Sequence, residues 1–176
     1  MADIENGVPQ KKILRNGVNI YPAQEAALDQ LIGDLDKRIS PAFILVADTA
    51  GQSILSRGDL DKAKLTTLGS LVAGDLAASQ EMARIIGQYG TYQMILREGK
   101  ESNFFISEIG NELLLLCHVP NRTPLGWARL LIRETAKQMA EILKTPGDEI
   151  SKMDFGLKDQ KLEDLFGDSL SNIWNN

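Results

Sequence analysis

The apolar positions of this chain fall into alternating helical and strand-like periods. From Pro22 onward, Leu28, Leu31, Ile32, Leu35 and Ile39 recur at helical spacing. A proline suits the first turn of a helix, where its missing N–H costs nothing, and Pro41 closes the stretch. Residues 42–47 are apolar without alternation, as in a strand covered on both faces. Asp48-Thr49-Ala50-Gly51 reads as a turn, with the glycine supplying a positive φ, and residues 52–57 as the returning strand. Gly58 breaks that strand, and Asp59 or Asp61 caps a second helix running from about residue 62 to 86. Three strands follow: 92–97 alternates, 103–107 is aromatic, and 112–117 is nearly all leucine. Glu98-Gly99-Lys100 and Gly110-Asn111 are the turns between them. Thr123 then caps a third helix with Pro124 at its first position. Its buried stripe is Leu125, Ala128, Leu131, Ile132, Thr135, Met139, Ile142 and Leu143.

The order is α-β-β-α-β-β-β-α. Every strand-to-strand turn is short, so those pairs are antiparallel hairpins. The two most apolar strands, 42–47 and 112–117, belong in the middle. The expected fold is an α/β, three-layer α/β/α sandwich around a central five-stranded antiparallel sheet. It spans residues 21–145. A flexible leader, 1–20, precedes it, with a short strand near 12–14. A tail, 146–176, follows the breaker Thr145-Pro146-Gly147. Within the tail, residues 160–174 repeat Leu162, Leu165, Phe166, Leu170, Ile173 and Trp174 at helical spacing. That segment either packs back on its own domain or docks on a partner.

A chain of 176 residues buries a core without cross-links. With one cysteine it has no internal disulfide, which suits a reducing, cytoplasmic setting. Its net charge of −5 argues against nucleic acid, which wants a basic stripe. Residues 1–10 lack the apolar core of a signal peptide, and the longest apolar run, 113–117, is far too short to insert in a membrane.

The search for chemistry is mostly negative. His118 is the only histidine, and Cys117 beside it points to the opposite face of a strand. His118 reads as a satisfied strand-end histidine and Cys117 as a core thiol. There is no G-x-S-x-G elbow and no G-x-G-x-x-G loop, and Gly99-Lys100 lacks the rest of a phosphate loop. Asp34/Asp36 and Glu163/Asp164 lie on polar faces. No catalytic residue, cofactor or metal is expected.

The second helix carries more information. Leu65, Leu68, Val72, Leu76, Ala83 and Ile86 share a sheet-facing stripe. A second apolar flank, Leu71, Ala78, Met82 and Ile85, lies roughly opposite. One stripe is normal for a surface helix, while two imply a second burial event, here self-association. Between them runs a low strip of Ser70, Ala73, Gly74 and Ala77, continued by Glu81 and Arg84. Small residues there let another backbone approach, or merely permit tight packing within a dimer.

These residues carry a resemblance. Asp48-x-x-Gly51-Gln52-x-Ile54-x-x-x-Gly58, then Ser70-Leu71-x-Ala73-Gly74-x-x-Ala77-Ala78 and Ile86-Gly87, are similar to the first hairpin and central helix of the Roadblock family of dynein light-chain relatives. Glu98-Gly99, Gly110 and Asn121-Arg122-Thr123-x-Leu125-Gly126-x-x-Arg129-Leu130 continue it in order, over roughly residues 24–143. The chain most resembles the branch of bacterial polarity and gliding-motility regulators, down to the acidic Leu-Phe end of the tail. The resemblance implies a homodimer with central helices side by side, binding a small Ras-like, MglA-like GTPase. It implies stimulated GTP hydrolysis through the GTPase's own switch residues, with no arginine finger and no active site in this chain. Carried over, the platform is Ser70, Ala73, Gly74, Ala77, Ala78 and Glu81, with Arg84 on the same face. The dimer residues are Leu71, Ala78, Met82 and Ile85, and the tail docking residues Leu162, Leu165 and Phe166. A non-catalytic scaffold on the same dimer is the main alternative, and a small-ligand sensor a distant third.

Overall fold

Short turns and apolar strands close into one five-stranded antiparallel sheet in the computed structural model, which describes residues 12–13, 17–87 and 94–174. A two-stranded ribbon of β1 (Lys12–Ile13) and β2 (Asn19–Ile20) comes first. Helix α1 (Pro22–Ile39) follows, then β3 (Phe43–Asp48), β4 (Ser53–Gly58) and helix α2 (Lys62–Ile85). After it come β5 (Met94–Glu98), β6 (Ser102–Ile109), β7 (Leu113–Pro120) and helix α3 (Leu125–Lys144). The strand order is β4-β3-β7-β6-β5. The leucine-rich β7 is central, and β3 lies beside it, as their uninterrupted apolar character predicts.

Alternation along these strands sends side chains to two separate cores. Ile44 and Val46 of β3, with Leu113, Leu115 and Cys117 of β7, face α1 and α3. Phe43, Leu45 and Ala47, with Leu114 and Leu116, face α2. The first core is thick: Leu28, Leu31, Ile32 and Leu35 of α1 meet Leu131, Ile132, Met139 and Ile142 of α3, all fully buried. The second is thin, since Val72 and Leu76 are the large α2 side chains it buries. Each contributes about 1.5–3 kcal/mol on burial.

Close backbone approach makes up for part of that thinness. Gly51 holds φ +84° at the β3–β4 turn, and a Cβ there would lie 2.7 Å from Cα of Ser70. A Cβ on Gly69 would lie 2.3 Å from the Gly51 carbonyl oxygen. Two glycines thus let the turn rest directly on the helix. Asp48 tightens the same turn from beneath: it is fully buried, and its Oδ1 accepts from the N–H groups of Ala50 (3.0 Å) and Gln52 (2.7 Å).

Helix ends are joined by a glutamine. Gln24 Oε1 accepts from the Tyr21 N–H (2.9 Å), and its amide donates to the carbonyls of Ile142 (3.1 Å), in the last turn of α3, and of its C-cap Thr145 (2.9 Å). One buried side chain therefore satisfies groups that two helix ends leave open. Asp61, not Asp59, caps α2 by accepting from the Lys64 N–H at 2.8 Å. Thr123 is not the cap of α3. Its hydroxyl donates to the Ile39 carbonyl at 3.0 Å, tying the loop to the end of α1, and Pro124 takes the cap position.

Two expectations about the chain ends are corrected. Val18 and Ile20 lie against the thick core, Ile20 fully buried, so the body begins inside the expected leader. Leu14 of the expected leader strand, and Tyr92 and Gln93 of the expected strand 92–97, lie outside the described residues. The tail forms a 3-10 turn at Ile150–Lys152 and a helix α4 (Asp159–Trp174). Ile150, Leu157 and Leu162 are buried in the same core as α1 and α3. Polar ties hold the strap on. Arg38 binds Asp159 at 2.7 Å and donates to the Leu157 carbonyl. Gln138 exchanges hydrogen bonds with Gly156 at 2.7 and 3.1 Å. Lys161 meets the buried Glu134 at 2.6 Å. The packed body therefore extends past residue 145, and a glycine-proline breaker did not mark its end.

Two substitutions test these contacts by thermal unfolding. Gly69→Val is expected to cost about 1–3 kcal/mol through overpacking against the Gly51 carbonyl. For a chain of this size each kcal/mol lowers Tm by about 2–4 °C. Leu162→Ala is expected to cost roughly 2–5 kcal/mol, the range for a leucine emptied from a core. An unchanged melting curve for Leu162→Ala would mean that the strap is not part of the cooperative unit.

Candidate functional site

Among the described residues α2 is the one helix on its sheet face, so most of its circumference is open. At about 100° per residue, the buried positions Gly69, Val72, Leu76, Ser79 and Ala83 form one sector. Leu71, Ala78, Met82 and Ile85 lie roughly 80–140° round to one side of Val72. The second apolar flank is therefore lateral, not opposite the core as the sequence pattern suggested. Leu71 is 64%, Met82 58% and Ile85 71% exposed. Ile86, expected in the sheet-facing stripe, is 63% exposed. The helix ends at Ile85, so Ile86 leaves the helical path and lengthens the exposed apolar flank instead.

The side opposite the core belongs to the small residues. Ser70, Gly74, Ala77, Glu81 and Arg84 are exposed, and a Cβ on Gly74 would meet nothing within 4 Å. Ala78 is exposed too, on the lateral flank. Ala73 is the exception: it is half-buried and packs against the thin core, so it forms the edge of this face. The Ser70 hydroxyl donates to the Thr66 carbonyl at 3.1 Å, which folds it against the helix and keeps the face low.

Charge on this face is internally paired. Arg84 binds Glu81 through Nε (2.8 Å) and Nη2 (2.6 Å). That pairing lowers the pKa of the Glu81 carboxyl and raises that of the guanidinium. Arg97 on the edge strand β5 grips Asp75 of α2 at 3.0 and 2.6 Å. Gln80 donates to Glu108 of β6, whose carboxyl is pushed up by burial. These two ties anchor α2 to the β5–β6 half of the sheet. Neither is legible in sequence, since the partners are far apart in the chain and polar.

His118 and Cys117 lie apart from this face of α2. His118 Nε2 lies 2.6 Å from the Ser102 hydroxyl, and the ring stacks on Phe104 at 4.4 Å. Burial lowers its pKa, which favours the neutral ring. Cys117 is fully buried among apolar side chains, and that burial pushes its thiol far up. A thiol held protonated is a poor nucleophile. Among the described residues no group of histidine, cysteine and carboxylate side chains is placed to hold a metal ion, and no helix is long and apolar enough to cross a membrane.

The tail residues separate. Leu162 is 1% exposed within its own core, so a partner cannot reach it, and its expected docking role is withdrawn. Leu165 is half-buried and lines a groove beside α3. The Phe166 side chain lies outside the described residues.

Comparison with known proteins agrees with this architecture. No curated protein matches the chain in sequence. Among solved structures, MglB of Myxococcus xanthus is 27% identical, with a TM-score of 0.63 over 67% of this chain and 95% of that one. The gliding protein MglB of Thermus thermophilus is 23% identical, with a TM-score of 0.64 over 71% and 94%. A Roadblock/LC7 domain from Streptomyces avermitilis is 17% identical, with a TM-score of 0.61 over 66% and 98%. The model of the Roadblock/LC7 domain matches residues 30–118, from the middle of α1 to the end of the central strand. With that match over half its length, this chain belongs to the Roadblock/LC7 family.

Proposed function

We propose that the chain acts as a homodimer whose paired α2 helices form a platform for a small Ras-like GTPase of the MglA kind. On that platform it stimulates GTP hydrolysis by positioning the GTPase's own switch residues, in the control of polarity or motility. One observation carries the reading: α2 presents an exposed apolar flank and a low small-residue face side by side, on the sheet face that no other described helix covers. The flank, Leu71, Ala78, Met82 and Ile85, suits a second copy. The low face, Ser70, Gly74, Ala77 and Glu81 with Ala73 at its edge, suits the backbone of a globular partner. The likeness to MglB supports the same assignment.

An indirect mechanism fits the charges. An arginine donated in trans accelerates hydrolysis by roughly 10³–10⁵ in GTPases that use one. Arg57 and Arg97 are engaged with Asp29 and Asp75. Arg84 is the basic residue on the low face, and it is already committed to Glu81. To act as a finger it would have to leave that carboxylate. Holding the GTPase's switches in their reactive arrangement needs only surface complementarity that is better in the transition state than in the ground state.

Three measurements test the reading. Met82→Glu or Ile85→Glu sets a charge in the dimer flank, at a cost of several kcal/mol if buried unpaired. Light scattering should then show monomer or aggregate, and a wild-type chain that is monomeric at micromolar concentration would refute the dimer. Ala77→Arg should abolish GTPase binding by calorimetry while leaving the dimer intact. In single-turnover hydrolysis, Arg84→Ala should lower the stimulated rate about tenfold or less, as expected for an exposed pair. A loss near the full finger value with binding preserved would overturn the indirect mechanism. Binding without any acceleration would make the dimer a scaffold.

A further inference from the structure

The exposed side of α3 carries Arg129, Arg133 and Lys137, one above the other at i, i+4 and i+8. Most other described basic side chains of this acidic protein are matched with a carboxylate, from Lys37 with Asp34 to Lys161 with Glu134. These three have no ion-pair partner among the described residues. Like charges at i, i+4 destabilise a helix, so the stripe persists against a local cost. Beside it runs a groove of about 580 Å³, walled by Leu130, Arg133, Ala136, Lys137 and Ala140 of α3 and by Leu165 of α4. The β6–β7 turn at Gly110 and Asn111 closes its far side.

We infer that this groove is a second docking site, which takes an acidic amphipathic helix from a partner protein. The apolar side of that helix lies against Leu130, Ala140 and Leu165, and its carboxylates meet Arg129, Arg133 and Lys137. The stripe is about 12 Å long at 1.5 Å per residue, which matches roughly two turns of a bound helix. Two carboxylates also line the groove, and neither cancels it. Glu134 is neutralised by Lys161 at 2.6 Å, and Glu108 is occupied by Gln80. A membrane surface fits less well. The basic stripe is narrow, it borders a concavity that a flat bilayer cannot enter, and the chain's net charge of −5 repels anionic lipid. The site lies on the sheet face opposite α2, so it stands independently of the GTPase reading.

The test uses the full chain and a fluorescein-labelled 16-residue peptide of leucine and glutamate at helical spacing, read by anisotropy. Saturable binding is expected that weakens as salt rises from about 50 to 300 mM. Arg133→Glu with Lys137→Glu should weaken it at least about tenfold. Arg133→Gln should give a smaller loss, and Arg122→Glu, a cation outside the stripe, should give none. Circular dichroism melting confirms that each variant is folded. The inference fails if wild type shows no saturable binding at millimolar peptide, or if the double variant binds as tightly. It also fails if a peptide with glutamine in place of glutamate binds equally well. Preferential binding to phosphatidylserine vesicles would overturn it in favour of a membrane contact.

Discussion

Both faces of the central sheet are apolar, and among the described helices α2 has one of them to itself. The rest of the architecture follows from that division of labour. On the other face α1 and α3 pack against each other as well as against β3, β7 and β6, and the strap from Ile150 to Leu162 seals the seam between them. On the α2 face a single cylinder cannot roof five strands. It leaves Ile95 and Phe104 only partly buried and leaves its own flank of Leu71, Met82 and Ile85 in the open. Exposed apolar area of this kind, next to an edge strand such as β5, is the kind of surface that marks interaction sites in soluble proteins.

The thin side is also where the backbone is most constrained. A helix that buries few large side chains gains from lying close to what it does touch. The Gly51–Gly69 approach brings the first half of α2 onto the β3–β4 turn, and Asp75–Arg97 and Gln80–Glu108 fix its second half. The low outward face is therefore presented on a helix secured along its length. A surface shifts a partner's conformational equilibrium only by as much as it binds one state better than another.

Much of this was legible in the chain. Uninterrupted apolar runs gave β3 and β7 their interior places, and Asp48 with Gly51 announced the turn. Gly58 ended β4, and two apolar sectors on one helix distinguished α2 from an ordinary surface helix. Other features were hidden for physical reasons. Ile86 fits the core stripe only while the helix continues, and periodicity does not say where a helix frays. Thr123 precedes a proline and looks like a cap, but its hydroxyl found the carbonyl of Ile39, which is distant in the sequence. The tail misled most. Leu162 reads equally well as a docking residue or a core residue, because helical spacing records that a side chain is buried and not in what. Gln138 and Arg38, which hold the strap down, carry no sequence signal of that role.

The strap has a consequence for the order in which the molecule is made. Ile150, Leu157 and Leu162 belong to the same core as Leu28 and Leu131, yet they follow α3 in the chain and are synthesised after it. A nascent chain that has already released α1 and α3 from the ribosome still has an open, greasy seam between them. Closure waits until the strap emerges. Domains generally fold as units, starting from the N-terminal side during synthesis. In this one the segment that completes the core follows both helices it seals, so a chain cut short near residue 145 would carry an unsealed interior.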